Sequence, residues 1–275
     1  MGLPILVVES ESQYVSVTPK KSLGQHFLTD PNIRDKIVDA LQATQEDCVV
    51  EIGPGTGAMT GILSARYPRF EAVEIDQRAI AYLQDQLPGL IVHQANVVRY
   101  AWKDHARRAG QKLHVIGNLP YYVTSQVLFD LMDAHTTVAE AVLMMQREVA
   151  DRLVARPRTK AYGVLSVLIQ RYTRPVLLFK VSRHVFFPKP DVESAVVRLE
   201  FIQDIEGPDL STDAYRQVVK TAFNQRRKTL RNSLKSLAAT TGRPVPEIWS
   251  GKRAEELTPS EFIDLARHFF THPGG

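Results

Sequence analysis

The chain has 275 residues, 44% hydrophobic and 23% charged, the balance of an ordinary globular protein and incompatible with a disordered, collagenous or coiled-coil chain. No apolar run approaches the roughly 20 residues of a membrane span, and the opening residues lack the positive leader of a secretory signal. One cysteine, Cys48, excludes an internal disulfide and predicts a reducing, cytoplasmic setting, while the net charge of +4 conceals two strongly basic blocks.

Residues 1–28 read as an N-terminal arm, polar over 12–24, that enters the fold. Ile33, Ile37, Val38 and Leu41 recur at helical spacing behind Thr29 or Asp30 as N-cap and predict a first helix. Residues 48–52 are a short apolar run closed by Gly53, Gly55 and Gly57 and followed by a helix-compatible stretch over 59–66, which is the order strand, tight turn, helix. A second strand is expected over 70–75, a helix over 77–86, and further strands over 90–93 and 113–116. Strands alternating with helices imply an α/β fold with a doubly wound parallel sheet.

Beyond it, helices are expected over 125–132, 145–153 and 163–171, with a strand over 141–144. Residues 176–181 and 195–201 read as two late strands paired antiparallel at one edge. Residues 203–212 form the best linker, dividing a first domain, 1–202, from a small helical one, 203–275. In the tail Val219, Phe223, Leu230, Leu234 and Leu237 make an apolar stripe beside a basic one of Lys220, Arg227, Arg231 and Lys235, which predicts a basic helix over 220–235.

The glycine turn sits where a first strand enters a helix, a place where a ligand can approach the backbone. Its spacing, G-x-G-x-G, differs from the G-x-G-x-x-G of dinucleotide-binding proteins. Glu74 ends the second strand 21 residues after Gly53, where a carboxylate can accept both hydroxyls of a ribose. The plainer reading of Glu74 is a solvated strand-end acid. Together the two features fit an adenosine-containing cofactor without a pyrophosphate, for which S-adenosylmethionine is the common choice. The first half thus reads as a methyltransferase fold.

After the fourth strand stands Asn118-Leu-Pro-Tyr121, at the carboxyl edge of the sheet. Each member suits methylation of an exocyclic amine. The adenine amine is a poor nucleophile because its lone pair is delocalised into the ring. Accepting both of its hydrogens, one on the Asn118 side-chain oxygen and one on a backbone carbonyl near Leu119 or Pro120, favours a pyramidal nitrogen facing a methyl donor. Pro120 keeps the chain rigid, and Tyr121 offers a flat face to a base. An ordinary Asn-Pro turn with a surface tyrosine is the simpler alternative. Phe186-Phe-Pro-Lys-Pro190 supplies a second aromatic wall opposite Tyr121. The eight histidines lack ligand spacing, so no metal is expected.

The charge is concentrated. Residues 147–189 hold ten Lys/Arg against Glu148 and Asp151, and residues 216–235 hold seven with no acid. Two such blocks point to a polyanion, and nucleic acid is the reading preferred over a solvated basic face. The phosphate-binding candidates are Arg147, Arg152 and Lys189 in the first block and Arg226, Arg227, Lys228 and Arg231 in the second.

From Lys20 to about Lys235 the chain resembles the ribosomal RNA small-subunit adenine dimethyltransferases. The resemblance rests on Leu23-Gly-Gln-His-Phe-Leu28, Glu51-Ile-Gly-Pro-Gly-Thr-Gly57, Gly117-Asn-Leu-Pro-Tyr121, Met145-Gln-Arg-Glu-Val-Ala-Asp-Arg152, Val185-Phe-Phe-Pro-Lys-Pro190 with Ser194-Ala-Val-Val197, and Phe223-Asn-Gln-Arg-Arg-Lys-Thr-Leu230. It implies a seven-stranded, Rossmann-like class I methyltransferase sheet with a helical C-terminal domain. It also implies transfer of two methyls from S-adenosyl-L-methionine to N6 of each of two adjacent adenosines in the 3′-terminal hairpin of 16S rRNA. The expected partner is that rRNA or the immature small subunit, with no membrane, and nothing demands more than a monomer. Carried over by position, cofactor contacts fall on His26, Leu28, Gly53, Glu74, Asn96 and Asn118, with Gly55 in the same turn. Base contacts fall on Asn118, Leu119, Pro120, Tyr121 and Phe186. Two positions depart from the family: His26 replaces the usual Asn, and Asn96 replaces the usual Asp that accepts the cofactor's adenine amine.

Two other functions compete with this one. An RNA-binding assembly or transcription factor could keep the fold with little catalysis, a reading that Asn96 favours and the intact Asn118-Leu-Pro-Tyr121 opposes. A methyltransferase acting on large-subunit rRNA would share the catalytic half, but the segment 223–230 matches the small-subunit family better.

Overall fold

The computed structural model describes Lys20, residues 24–205 and residues 210–271. The first part of the expected arm, including Leu23, and the middle of the expected linker at 206–209 lie outside the described residues.

The chain enters through a two-residue strand, β1 (Phe27–Leu28), and turns into α1 (Pro31–Asp39). Of the two N-cap candidates Asp30 takes the role: its carboxylate accepts the amides of Asn32 and Ile33, and Pro31 occupies the first helical position, where no donor is needed. Then β2 (Cys48–Ile52), α2 (Thr60–Arg66), β3 (Phe70–Glu74), α3 (Gln77–Gln86), β4 (Ile91–Gln94), α4 (Trp102–Ala109), β5 (Leu113–Asn118) and α5 (Thr124–Asp133) alternate, all but α4 as expected. Helix α4 has no counterpart among the predicted elements, because Trp102, Ala106 and Ala109 are its only apolar residues. Tertiary burial of Trp102, His105 and Ala106 holds it, and Gly110 in the left-handed region closes it.

Next come β6 (Val138–Gln146), α6 (Arg147–Leu153), α7 (Val164–Tyr172), β7 (Thr173–Val181), β8 (Phe186–Phe187) and β9 (Ser194–Phe201). Strand β6 is longer than its apolar run because Glu140 lies inside it. That buried carboxylate accepts the Gln42 amide at 2.6 Å and pairs with His114 at 2.9 Å.

The main sheet has the order β4-β3-β2-β5-β6-β9-β7. Neighbours from β4 to β6 pair in parallel, and β9 pairs antiparallel with both β6 and β7. The strands buried on both faces, such as β2 with every residue buried, are the continuous apolar runs that a covered parallel sheet requires. One face packs Val49, Phe70, Ile116 and Val142 against α1 and α2 residues such as Ile37 and Leu63. The other packs Val50, Val115 and Leu143.

The tail contains α8 (Thr212–Asn224), α9 (Leu230–Ser233), α10 (Lys235–Thr241), α11 (Glu247–Ser250) and α12 (Pro259–Phe270). The expected helix over 220–235 is therefore divided among α8, α9 and the start of α10, with its main break at 225–229. Tertiary bonds override its periodicity: Thr229 bridges to Arg253, and the Leu230 amide donates to the Lys252 carbonyl at 2.7 Å. Helices α8 and α12 pack on α7. Through this contact one apolar cluster runs from Val50 and Leu143 under the sheet to Tyr215, Leu234 and Phe262 in the tail. The buried Tyr162 hydroxyl, donating to the Leu257 carbonyl at 2.8 Å, adds a polar tie across the same boundary.

Candidate cofactor and base-binding site

A cavity opens at the carboxyl ends of β2, β3, β4 and β5, where the winding of the sheet reverses between β2 and β5. Open α/β folds place ligands at this point. It brings together most of the residues singled out in the sequence: His26, Leu28, Gly53, Gly55, Glu74, Asn96, Asn118, Leu119, Pro120 and Tyr121 all line it.

Gly53 and Gly55 have φ of +61° and +56°, in the left-handed region that a side chain disfavours. A Cβ on Gly53 would meet no protein atom within 4 Å and would project into open space, whereas one on Gly55 would stand 2.9 Å from the Phe27 ring. The turn thus presents bare backbone to the cavity on one side and closes against the arm on the other. Glu74 is buried at the end of β3 and held by three backbone amides, those of Ile75 at 2.7 Å, Asp76 at 2.8 Å and Gly55 at 3.3 Å. Asn96 is exposed, and its Oδ1 accepts the Val98 amide at 2.9 Å, which leaves one lone pair for a ligand.

Glu51 also lines the cavity, although it is not among the cofactor contacts expected from the sequence. Burial pushes its carboxyl up from the usual 4.5 to about 8, the Thr60 hydroxyl at 2.7 Å opposes that rise, and the nearby Glu74 charge adds to it. Its place at the head of the glycine motif was the available signal.

The second half of the cavity is assembled by the arm. Strand β1 pairs antiparallel with β8, Phe27 opposite Phe187 and Leu28 opposite Phe186. The His26 ring lies 2.7 Å by Nδ1 from the Pro188 carbonyl, which makes Nδ1–H the donor, and stacks on Tyr121 with centroids 5.6 Å apart and planes 26° from parallel. The Asn118 side-chain nitrogen donates to the His26 carbonyl at 3.0 Å. The Tyr121 hydroxyl is fixed 2.8 Å from Ser194 Oγ. The Pro120 carbonyl already accepts from the Val123 amide at 3.1 Å and the Thr124 hydroxyl at 3.2 Å.

Phe186 is not where the sequence reading put it. The ring is 5% exposed and packs with Leu28, Val181 and Val196, and it is absent from the cavity wall. Successive residues of a strand face opposite ways, so in β8 the outward aromatic is Phe187, 65% exposed.

The basic candidates divide. Arg147 lies 3.7 Å from Asp151, and Arg152 pairs with Glu148. Arg226 is committed to structure, donating to Glu255 at 2.6 Å and to the Lys160 and Thr159 carbonyls at 3.1 and 3.2 Å. Arg231 pairs with Glu247 at 3.1 Å. Lys189, Arg227 and Lys228 are exposed and form no ion pair among the described residues.

A parallel sheet with a reversed strand beside its edge, a G-x-G-x-G turn and an acidic second strand end define an S-adenosylmethionine-dependent methyltransferase. The chain belongs to the ribosomal RNA adenine dimethylase family, which matches residues 17–269. It is 50% identical over 254 residues to ribosomal RNA small subunit methyltransferase A of Salinibacter ruber, covering 92% of this chain and 86% of the relative. It is 39% identical over 260 residues to the protein of that name from Chlorobium phaeobacteroides, covering 94% of each. Among solved structures, a dimethyladenosine transferase from Plasmodium falciparum superposes with a TM-score of 0.73 at 24% identity, over 87% of this chain and 96% of the other. The 23S rRNA methyltransferase ErmE superposes with a TM-score of 0.64 at 23% identity, over 88% and 99%. Both establish the fold. Among the described residues no helix is long and apolar enough to cross a membrane.

Proposed function

We propose that this chain methylates N6 of two adjacent adenosines in the 3′-terminal hairpin of 16S rRNA, acting as a cytoplasmic monomer on the immature small subunit. The observation that carries this reading is the bond from Asn118 Nδ2 to the His26 carbonyl. It fixes which edge of the amide donates, so Oδ1 is the edge left to accept a hydrogen of a substrate amine. With the Pro120 carbonyl engaged twice, the Leu119 carbonyl is the second acceptor. An amine that gives one hydrogen to each is held with its lone pair out of the ring plane, and preorganised acceptors do this without reorganisation in the reaction. The Tyr121 ring, clamped by Ser194 and His26, is the platform on which the flipped base stacks.

The cavity suits S-adenosylmethionine. Gly53 leaves space for it, the Glu74 carboxylate suits the ribose hydroxyls, Asn96 the adenine edge, and the His26 and Leu28 end the methionine portion. When bound, the cofactor supplies an electrophilic methyl on its sulfonium. The exposed Lys189, Arg227 and Lys228 are the groups free to hold rRNA phosphates, and Arg147, Arg152 and Arg231 join by exchanging an exposed ion pair for a phosphate.

The test is transfer of labelled methyl from S-adenosylmethionine to small subunits that lack the modification. Incorporation at N6 of two adjacent adenosines near the 3′ end is expected. Incorporation only into large-subunit rRNA, or subunit binding without transfer, would sink the proposal.

A further inference from the structure

Away from the cavity, under α4, four side chains with metal-binding atoms converge. Cys48 opens β2, Glu71 is the second residue of β3, His93 lies in β4, and His105 lies in α4. Their spacing in sequence shows no motif, because each comes from a different element and the sheet alone assembles them. Ligand atoms of Cys48, Glu71 and His105 all lie within 4.8 Å of one another. His105 Nε2 stands 3.2 Å from a Glu71 oxygen, and His93 Nε2 stands 2.5 Å from the same oxygen. The His93 and His105 rings are 5.0 Å apart, centroid to centroid.

We propose that Cys48, Glu71, His93 and His105 form a binding site for one divalent transition-metal ion, zinc by its ligand set. One thiolate, one carboxylate and two imidazoles make a four-coordinate, charge-neutral zinc site, with ligand atoms about 3.3 Å apart around a tetrahedral ion. For Cys48, Glu71 and His105 the separations, 3.2 Å to at most 4.8 Å, are close to that spacing, and His93 joins through its 2.5 Å contact with Glu71.

An independent observation points into the same space. His105 is 2% exposed, and its Nε2 makes no hydrogen bond of acceptable geometry although the Glu71 oxygen is near. Its other nitrogen, Nδ1, lies 2.9 Å from the Tyr100 hydroxyl. When Nδ1–H donates to Tyr100, the Nε2 lone pair faces the carboxylate and is open to a cation between them; in the other tautomer Nε2–H points to Glu71 instead. Metal-bound imidazoles commonly donate their second nitrogen in this way. Burial keeps His105 toward its neutral, ligating form. Burial and the Glu71 charge push the Cys48 thiol up to about 11, and coordination is what would ionise it. Two cations, Arg69 and Arg108, act on the cluster from its rim and oppose a bound ion, so binding depends on both anionic ligands being present. The ion would fasten α4 to β3 and β4, and with it the segment 95–97 that walls the cofactor cavity.

The probe is cobalt(II), added to the full-length protein after chelation and dialysis. We expect saturation at one ion per chain, with a thiolate-to-cobalt charge-transfer band and the intense visible bands of four-coordinate cobalt, all displaced by zinc. The charge-transfer band should vanish in Cys48→Ser. In His93→Gln, a milder change on a partly exposed edge-strand residue, cobalt affinity should fall by at least about tenfold. Zinc should raise the melting temperature of the wild type and leave that of Cys48→Ser unchanged. Absence of the charge-transfer band in the wild type, or equal cobalt affinity in wild type and His93→Gln, would show a hydrogen-bonded network only and overturn the site.

Discussion

The side-chain nitrogen of Asn118 and the backbone carbonyl of His26, 3.0 Å apart, join two segments 92 residues distant in sequence. The contact orients the amide at the end of β5, and the same His26 reaches Pro188 and Tyr121. The arm, the end of β5 and the β8 loop, far apart in sequence, are thereby locked into one wall.

Asn118→Ala removes the amine acceptor and the tie to the arm together. Methyl transfer to unmodified small subunits should fall by about 10²–10³-fold, the scale for loss of one preorganised polar group. Asn118→Asp should be nearly as inactive, because a carboxylate facing the His26 carbonyl has no hydrogen to donate. Single-turnover transfer with labelled cofactor checks both, and an Asp variant of wild-type activity would contradict the assignment of the donor edge.

Glu51 is held protonated at neutral pH by burial, with its carboxyl near 8 in the fold against 4.5 unfolded. Its folded value is raised, so the stability it contributes is fully present below pH 4.5 and is lost as pH rises toward about 8. Thermal melts at pH 6 and pH 8.5 should show the wild type losing stability over that interval. Glu51→Gln, which keeps an oxygen for Thr60, should flatten the loss; an unchanged slope would mean the carboxyl ionises freely.

Two glycines separate ligand binding from folding. Gly53→Ala adds a methyl in open space at a positive φ, at a cost of about 1–2 kcal/mol in strain, and should weaken cofactor binding more than that strain alone. Gly117→Ala would drive its methyl to 2.8 Å from the Ile52 carbonyl in the middle of the sheet, and should lower the melting temperature sharply. Calorimetric titration with S-adenosylmethionine beside thermal melts distinguishes the two.

The basic tail should also divide. Replacing Arg227 and Lys228 together with Ala should weaken rRNA binding and reduce the slope of log affinity against log salt by about two units, one per cation removed, with cofactor binding unaffected. Arg226→Ala should instead destabilise the tail by roughly 1–3 kcal/mol, since it leaves Glu255 and two carbonyls without their donor. Filter binding across a salt series, paired with melting curves, tests both, and a salt slope unaltered by the double change would remove this pair from the RNA interface.

The sheet and the cofactor turn were legible in the sequence because they rest on local signals. An apolar run such as 48–52 that ends in glycines has one good reading, and a capped helix such as α1 announces its start at Asp30. The features that escaped are those set by distant partners. Glu140 breaks the apolar run of β6 but is satisfied by Gln42 and His114. The break at 225–229 interrupts an unbroken helical pattern because Lys252 and Arg253 reach in from 22 to 24 residues later. Phe186 and Phe187 are indistinguishable by type, and only the register of β8 against β1 decides which is buried. At the site the residues that converge are those of the local motifs, while Glu51 acquires its behaviour from burial, which a sequence does not print.

The pairing of β1 with β8 also sets a timetable. Phe27 meets Phe187, 160 residues later, so the wall of the cavity that His26 and Leu28 build cannot form until that much more chain has left the ribosome. At about 5–20 residues per second the arm waits roughly 8–30 s for its partner. A nascent chain halted before β8 would carry the glycine turn and Asn118 yet lack a closed pocket, so translation itself delays cofactor capture until the domain is nearly whole.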